Sequence, residues 1–97
     1  MRLLESALLN ILACPIDKGA LLYLPDDAML YNPRLRRAYL IEQGVPVLLA
    51  SAAVPVPAEQ HELIVRRAYR GEVAATGGLP AEQVAAGKRP EASDSGG

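Results

Sequence analysis

The apolar residues at the start of the chain have the spacing of a helix that is buried on one side. Four of them stand at positions i, i+4, i+7 and i+8, which places them on one helical face. They are Leu4, Leu8, Ile11 and Leu12. Pro15 lacks the backbone N–H that a helix needs and clashes with the preceding turn. The pattern therefore predicts an N-terminal helix that ends shortly before residue 15.

Short apolar runs separated by turn residues follow this helix. The runs are residues 20–24, 28–31, 37–41 and 45–49. Residues 25–27, between the first two runs, form a turn by composition, because proline presets one backbone dihedral and aspartate can bond its own backbone. Such runs are typical of antiparallel strands. We therefore expect an α+β fold, in which the N-terminal helix packs on a small antiparallel sheet of three to four strands.

The last of these runs contains a proline, which restricts where it can lie. Pro46 has no N–H to donate, so residues 45–49 cannot form a central strand that is paired on both sides. The run belongs at an edge of the sheet, and an apolar edge is a template for another chain. Either later residues of this protein cover that edge, or a partner does.

The chain becomes richer in proline and small residues after residue 50. Pro57 at the start and Gly71 at the end favour a short helix within residues 58–71. Its apolar face would consist of Leu63, Ile64 and Ala68. Residues 72–97 hold few large apolar side chains and cannot offset the entropy lost on ordering. The predicted organisation is one folded domain over residues 1–57, a short helix over 58–71 and a disordered tail over 72–97.

Composition and charge narrow the classes of function. The 97 residues carry a net charge of −1, which indicates no strong field for nucleic acid. A single cysteine excludes an internal disulfide, and no segment approaches the roughly 20 apolar residues of a membrane span. A cytoplasmic protein without a membrane contact is expected. Cys14 has no base beside it in the sequence, so we predict no catalytic residue, no enzyme and no cofactor.

Three motifs, in order, carry a resemblance to a known family. They are Ile-Leu-Ala-Cys-Pro at 11–15, Ala-Tyr-Leu-Ile at 38–41 and Gly-Val-Pro-Val-Leu-Leu at 44–49. Over about its first fifty residues the chain resembles the small zinc-ribbon family of methyltransferase activators, in its bacterial YcaR-like branch. The resemblance implies that residues 1–57 form a zinc-ribbon-like domain. Leu40 stands where the family usually has proline.

The resemblance also implies where zinc ligands would lie. Two Cys-x-x-Cys pairs of the family fall on Cys14 with Asp17 and on Asn32 with Leu35. Zinc prefers four thiolate or imidazole ligands in a tetrahedron, which these residues do not provide. We therefore predict a degenerate site without metal, held by hydrogen bonds of Asp17 and Asn32 and by packing of Leu35. Cys14 is then expected to be half-buried, and His61, alone on a charged helix, to be exposed.

The resemblance implies an adaptor that binds and stabilises a partner enzyme, such as an S-adenosylmethionine-dependent methyltransferase, through a strand at the sheet edge. The predicted edge agrees with this role, because edge pairing recognises a partner through backbone bonds and alternate side chains. The predicted partner-binding residues are Tyr39, Ile41, Val45, Pro46, Val47 and Leu49.

Two other functions stay open on the sequence. Arg34, Arg36 and Arg37 lie close to two tyrosines and would suit an RNA-binding face, although a solvated hairpin face explains them too. Alternatively, the apolar edges of two copies pair with each other, which would make the protein a self-associating homo-oligomer.

Overall fold

The computed structural model describes residues 6–87 and forms a curled antiparallel sheet, with two helices on one face and the N-terminal segment, which includes a short helix, on the other. Its helices are α1 (Ser6–Leu9), α2 (Ala58–Tyr69) and α3 (Ala81–Ala85). Its strands are β1 (Leu22–Leu24), β2 (Met29–Asn32), β3 (Arg37–Glu42), β4 (Val45–Pro46), β5 (Val54–Pro55) and β6 (Ala74–Ala75). Two 3₁₀ turns, Pro25–Asp27 and Ala50–Ala52, connect strands.

The strands follow the order β4-β3-β2-β1-β6, and β5 pairs with the first half of β3. The hairpin from β3 to β4 turns on two residues with positive φ, Gln43 and Gly44, as a tight hairpin turn requires. Residues 45–55 therefore run along the whole outer side of β3, first as β4 and then as β5. β4 is the outermost strand at its end of the sheet.

The two faces of the sheet have different covers. The helix face packs against α2 and α3, with Tyr31 of β2, Ile64 of α2 and Val84 of α3 in one buried cluster. The opposite face, the knuckle face, carries Cys14 of the turn at residues 14–19. It packs against the N-terminal segment and the loop after β4. Its buried cluster consists of Cys14, Leu21, Tyr23, Leu30 and Tyr39. The predicted α+β architecture is confirmed, and the short strands β5 and β6 extend the predicted sheet.

The N-terminal helix is shorter than the apolar spacing predicts. α1 ends at Leu9, and the N–H groups of Ile11 and Leu12 bond the carbonyls three residues back at 3.1 and 3.4 Å. This tighter turn rotates Ile11 away from the core, so its side chain is 76% exposed rather than buried. Leu8 and Leu12 do pack on the knuckle face, whereas Leu4 lies outside the described residues.

The predicted tail does not begin at residue 72, because residues 72–87 are part of the fold. Thr76 exchanges two hydrogen bonds with the backbone of Leu21, each 2.8 Å long, and β6 pairs with β1. Val73 and Val84 are buried on the helix face. Leu79 and three alanines of this segment pack against the same cluster, and the N–H of Gly77 donates to the Leu9 carbonyl at 3.1 Å. The remainder of the predicted tail, residues 88–97, lies outside the described residues.

Helix α2 occupies the range where the sequence favoured a helix. Ile64 and Ala68 are buried against the sheet, as the apolar pattern predicts. Leu63 is 57% exposed, because it projects from the helix about 100° away from Ile64. Within residues 6–87, no helix is long and apolar enough to cross a membrane.

Candidate functional site

Residues 14–19 form a closed turn where the family resemblance implies a zinc knuckle. Cys14 and Gly19 close it through a 2.9 Å bond, and the N–H of Lys18 returns to the Cys14 carbonyl at 2.9 Å. The N–H of Ile16 donates to the Cys14 Sγ at 3.4 Å. The protein therefore builds the knuckle turn from backbone hydrogen bonds.

Asp17 stands where the resemblance implies a second zinc ligand, and its carboxylate accepts hydrogen bonds from three residues. The N–H of Gly19 and the Nδ2 of Asn32 donate to Oδ1 at 3.0 and 3.2 Å. Arg34 donates to both oxygens, from Nε at 2.7 Å and from Nη2 at 3.1 Å. The ion pair is largely sequestered, since each side chain is only 8% exposed.

Arg34 stabilises the charged form of this carboxylate. Its hydrogen bonds, aided by those of Gly19 and Asn32, hold the pKa of Asp17 well below its ordinary value, although burial acts in the opposite direction. Nη2 of Arg34 also donates to the Ala20 carbonyl at 2.9 Å. Gly19 leaves the space for this guanidinium, because a Cβ there would lie 2.5 Å from Nη2. The network joins the knuckle turn to the turn between β2 and β3.

Asn32 and Leu35, where the resemblance implies the other two zinc ligands, also contact the rest of the fold. Asn32 is fully buried, and its Oδ1 accepts the N–H groups of Arg34 and Leu35 at 2.9 and 3.1 Å. Leu35 packs against the knuckle face. Hydrogen bonding by Asp17 and Asn32 and packing by Leu35 thus occur as the sequence predicts.

Cys14 is more deeply buried than predicted. It is 1% exposed instead of half-buried, and its Sγ lies 3.2 Å from the Tyr39 hydroxyl. Burial, followed by the contact with Cys14, raises the pKa of Tyr39 above its ordinary value. The thiol is therefore a core group that faces a neutral phenol.

The donors at this knuckle do not fit zinc. Besides one buried thiol they offer a carboxylate that is already paired with Arg34, an amide whose oxygen accepts two N–H groups, and an aliphatic side chain. Within residues 6–87, no three His, Cys, Asp or Glu side chains are grouped so that they could hold a metal ion. Chemically, this arrangement can brace two turns, but it cannot supply a tetrahedral set of ligands.

The predicted partner-binding residues divide between the core and the outer edge. Tyr39 is fully buried on the knuckle face, so its assignment as a contact residue is wrong. Alternation along a strand explains this, because its neighbour Leu40 is exposed instead. Val45 and Leu49 are 62% and 60% exposed, and the three remaining residues are half-buried. Those three are Ile41, Pro46 and Val47.

The backbone of β4 shows where another strand could pair. Val47 donates to the Leu40 carbonyl at 2.9 Å, which makes these two a hydrogen-bonded pair. Pro46 and Ile41 are therefore a pair without mutual hydrogen bonds. The backbone nitrogen and carbonyl of Pro46 face away from the sheet. Its missing N–H costs the protein no ladder bond. Its carbonyl is an outward acceptor at the edge.

The predicted basic face loses one of its three arginines. The Arg34 guanidinium forms a largely buried ion pair with Asp17, so the assignment of Arg34 to nucleic-acid contact is wrong. Arg36 and Arg37 are exposed, and a guanidinium nitrogen of Arg37 caps the carbonyls of Leu35 and Arg36 at 3.3 Å. Two exposed arginines form a weaker positive surface than the predicted cluster.

Sequence reasoning missed a polar contact under α2. His61 is half-buried rather than exposed, and its Nδ1 lies 2.6 Å from the Tyr31 hydroxyl. Burial raises the pKa of Tyr31 to about 12, so this hydroxyl keeps its proton and donates to neutral His61. Burial and the charge of Arg36 lower the pKa of His61. The contact joins residues 30 positions apart, which a local pattern does not indicate.

Sequence reasoning also missed a cavity at the end of the knuckle face, beside the hairpin that leads into β4. Its volume is about 480 Å³. It is lined by Tyr23, Pro25, Asp26, Ala28, Ile41, Gln43 and Gly44. It adjoins the predicted docking edge, because Ile41 is in register with Pro46.

Comparison with known proteins identifies similar chains. Residues 5–44 match the family model described as Trm112p-like protein. A UPF0434 protein of Methylobacillus flagellatus is 42% identical over 57 residues, which are 59% of this chain and 95% of that protein. A UPF0434 protein of Pasteurella multocida is 44% identical over 59 residues, which are 61% and 98% of the two chains.

A solved structure and a longer enzyme are also similar. The solution NMR structure of an uncharacterized protein is 47% identical, with a TM-score of 0.50, and the match covers 59% of this chain and 92% of that one. Tetraacyldisaccharide 4′-kinase of Nitrosomonas eutropha is 41% identical over 59 residues, which are 61% of this chain and 15% of the kinase. About two fifths of this chain thus have no counterpart in these matches.

Proposed function

Since this chain belongs to the family of the small Trm112p-like UPF0434 proteins, we propose that it is an adaptor that binds and stabilises a partner enzyme through the outer edge of its sheet. Family membership points to a small non-catalytic protein. The partner and the binding edge are the new elements of the proposal.

The observation that carries the proposal is the apolar character of the outer edge. Val45 and Leu49 expose most of their side chains, and Leu40 and Val54 beside them are also exposed. Exposed apolar side chains that cluster at a strand edge are typical of a surface that another protein covers. In the described part of the chain, no strand pairs with the outer side of β4.

The backbone supports a short strand pairing at this edge. The Pro46 carbonyl faces outward, because Pro46 and Ile41 form a non-hydrogen-bonded pair. A partner strand would donate a backbone N–H to this carbonyl. Proline limits the pairing to a few bonds, so apolar contacts with Val45 and Leu49 would contribute most of the affinity.

Two classes of partner enzyme have specific support. Resemblance to the methyltransferase activators favours an S-adenosylmethionine-dependent methyltransferase. The kinase of Nitrosomonas eutropha carries a segment similar to this chain within one polypeptide, which is a covalent form of the proposed association. A separate tetraacyldisaccharide 4′-kinase is therefore the second candidate.

Copurification from the native host tests the proposal. Tagged wild-type protein should retain a methyltransferase or the kinase, and Val45→Asp should lose it, because a charge would be buried at the interface. Leu63→Asp is the matched control, since Leu63 is similarly exposed but lies on α2. Retention of the same enzyme by all three proteins would show that the edge is not the docking site.

Two further measurements address the alternatives. An RNA-binding protein would shift RNA in a mobility assay and weaken steeply between two salt concentrations. A self-associating protein would show a concentration-dependent mass by light scattering, and Val45→Asp would make it monomeric. If wild-type protein captures no enzyme, a salt-sensitive RNA shift would favour the RNA-binding function, and a concentration-dependent mass would favour self-association.

A further inference from the structure

The cavity beside β4 is formed by two turns that are fixed relative to each other. Ala28 closes one turn with φ 53°, and Gln43 begins the other with φ 54°. The N–H of Ile41 donates to the Ala28 carbonyl at 2.8 Å and joins them. The fold itself therefore sets the shape of the cavity, as is usual for small binding sites.

The walls of the cavity combine apolar surface with an acidic group. Tyr23, Pro25 and Ile41 supply buried or half-buried apolar walls. Asp26 lines the same cavity and is exposed. Within residues 6–87, Asp26 forms no ion pair, whereas the next residue, Asp27, is 3.4 Å from a guanidinium nitrogen of Arg67. The cavity thus has one carboxylate whose charge is not compensated.

Apolar walls together with one carboxylate determine which kind of side chain fits the cavity. An anionic group would meet the Asp26 carboxylate and be repelled. A purely apolar side chain would fill the walls but desolvate the carboxylate without compensation. Lysine and arginine have an apolar stem and a cationic head, so they match both parts, and the head can also approach an aromatic face.

We propose that this cavity binds a basic side chain, lysine or arginine, of the partner protein that docks on the β4 edge. The stem lies along Tyr23 and Ile41, and the cationic head lies at Asp26. The inference rests on the proposed function for the partner itself. Its location follows from continuity with the edge, because Gly44 lines the cavity and is followed directly by β4.

Titration of the full chain with amino-acid amides tests the cavity by itself. The probes are the amides of N-acetyl-arginine and N-acetyl-lysine, with N-acetyl-norleucine amide as an uncharged equivalent. In ¹⁵N–¹H spectra, at least one basic probe should shift the amide signals of Ile41, Gln43 and Gly44 saturably. Norleucine should bind at least about fivefold more weakly, as the loss of one partly desolvated charge pair implies.

Two variants test the role of the carboxylate. Asp26→Asn keeps the shape and should weaken the basic probe by roughly fivefold. Asp27→Asn is the control, because its carboxylate faces Arg67 and its loss should leave probe binding unchanged. Equal binding of norleucine, equal effects of both variants, or unshifted signals at these three amides would each overturn the proposal.

The copurification assay separates this inference from the proposed function. If Val45→Asp loses the enzyme while Asp26→Asn and Asp27→Asn retain it equally, the edge docks the partner and the cavity proposal fails. If the basic probes bind as expected but wild-type protein captures no enzyme, the proposed function fails and the cavity remains a site for a basic side chain.

Discussion

Replacing Arg34 by methionine removes the cation that compensates the buried carboxylate of Asp17. Methionine keeps a similar apolar stem but cannot donate the two hydrogen bonds of 2.7 and 3.1 Å. It also removes the donor to the Ala20 carbonyl. The variant therefore leaves a charge that is 8% exposed with only Gly19 and Asn32 as donors.

The expected loss of stability is about 3 kcal/mol. Breaking a buried ion pair by removing one partner costs roughly 3–5 kcal/mol, and the two remaining donors argue for the lower end. A domain of this size has a free energy of unfolding of only about 5–15 kcal/mol. The loss should lower the midpoint of thermal unfolding by roughly 15 °C.

Urea unfolding followed by far-ultraviolet circular dichroism measures this loss without tryptophan, which the chain lacks. A double-mutant cycle with Asp17→Asn should give a coupling energy of at least about 2 kcal/mol, because the unpaired charge disappears in the double variant. A loss below about 1 kcal/mol, or additive effects, would refute the reasoning.

The pH dependence provides a second check on the same pair. The folded-state pKa of Asp17 lies below its unfolded value, so its contribution is complete above the unfolded pKa and is lost as pH falls. The difference in stability between wild type and Arg34→Met should therefore narrow as pH falls below about 4. A difference that stays constant down to about pH 2 would contradict the assigned cause.

The remaining predictions concern other parts of the fold. His61 has a lowered pKa, so the stability of the wild type should fall as pH drops below about 6.5, and His61→Gln should flatten this part of the urea-midpoint profile. Gln43→Asn should raise the free energy of unfolding by roughly 0.5 kcal/mol, because asparagine tolerates the positive φ better; an unchanged urea midpoint would argue against this. Val84→Ala should cost about 2 kcal/mol if α3 docks as described, and a cost near zero would contradict that packing. The Cys14 thiol should react with a thiol reagent only as fast as the protein opens, whereas rapid modification of the folded state would show that it is accessible.

Some features of the fold follow directly from local sequence. The alternation of apolar runs and turn residues predicts the strands β1 to β4, because each strand and turn is defined by neighbouring residues. Pro46 predicts an edge, because a missing N–H has the same consequence in any fold. The motif order around Cys14 and Pro46 also indicated the family. Pro57 and Gly71 bracketed α2 for equally local reasons.

Other features depend on contacts between distant residues. Arg34 belongs to a basic cluster in the sequence, but the fold places it 2.7 Å from Asp17, 17 positions earlier, and removes it from the surface. The segment after residue 72 has too few large apolar side chains to predict order. It is ordered because Thr76 forms hydrogen bonds with the backbone of Leu21, 55 positions away.

The sequence by itself determined the order of strands and turns and the edge position of β4, since these depend on residue type and spacing. Only the tertiary structure decided which polar groups meet, that Tyr39 is buried while Leu40 is exposed, and that a cavity with an uncompensated carboxylate adjoins the edge. The physical reason is that burial and charge compensation are properties of the assembled chain, and single residues acquire them only from their neighbours in space.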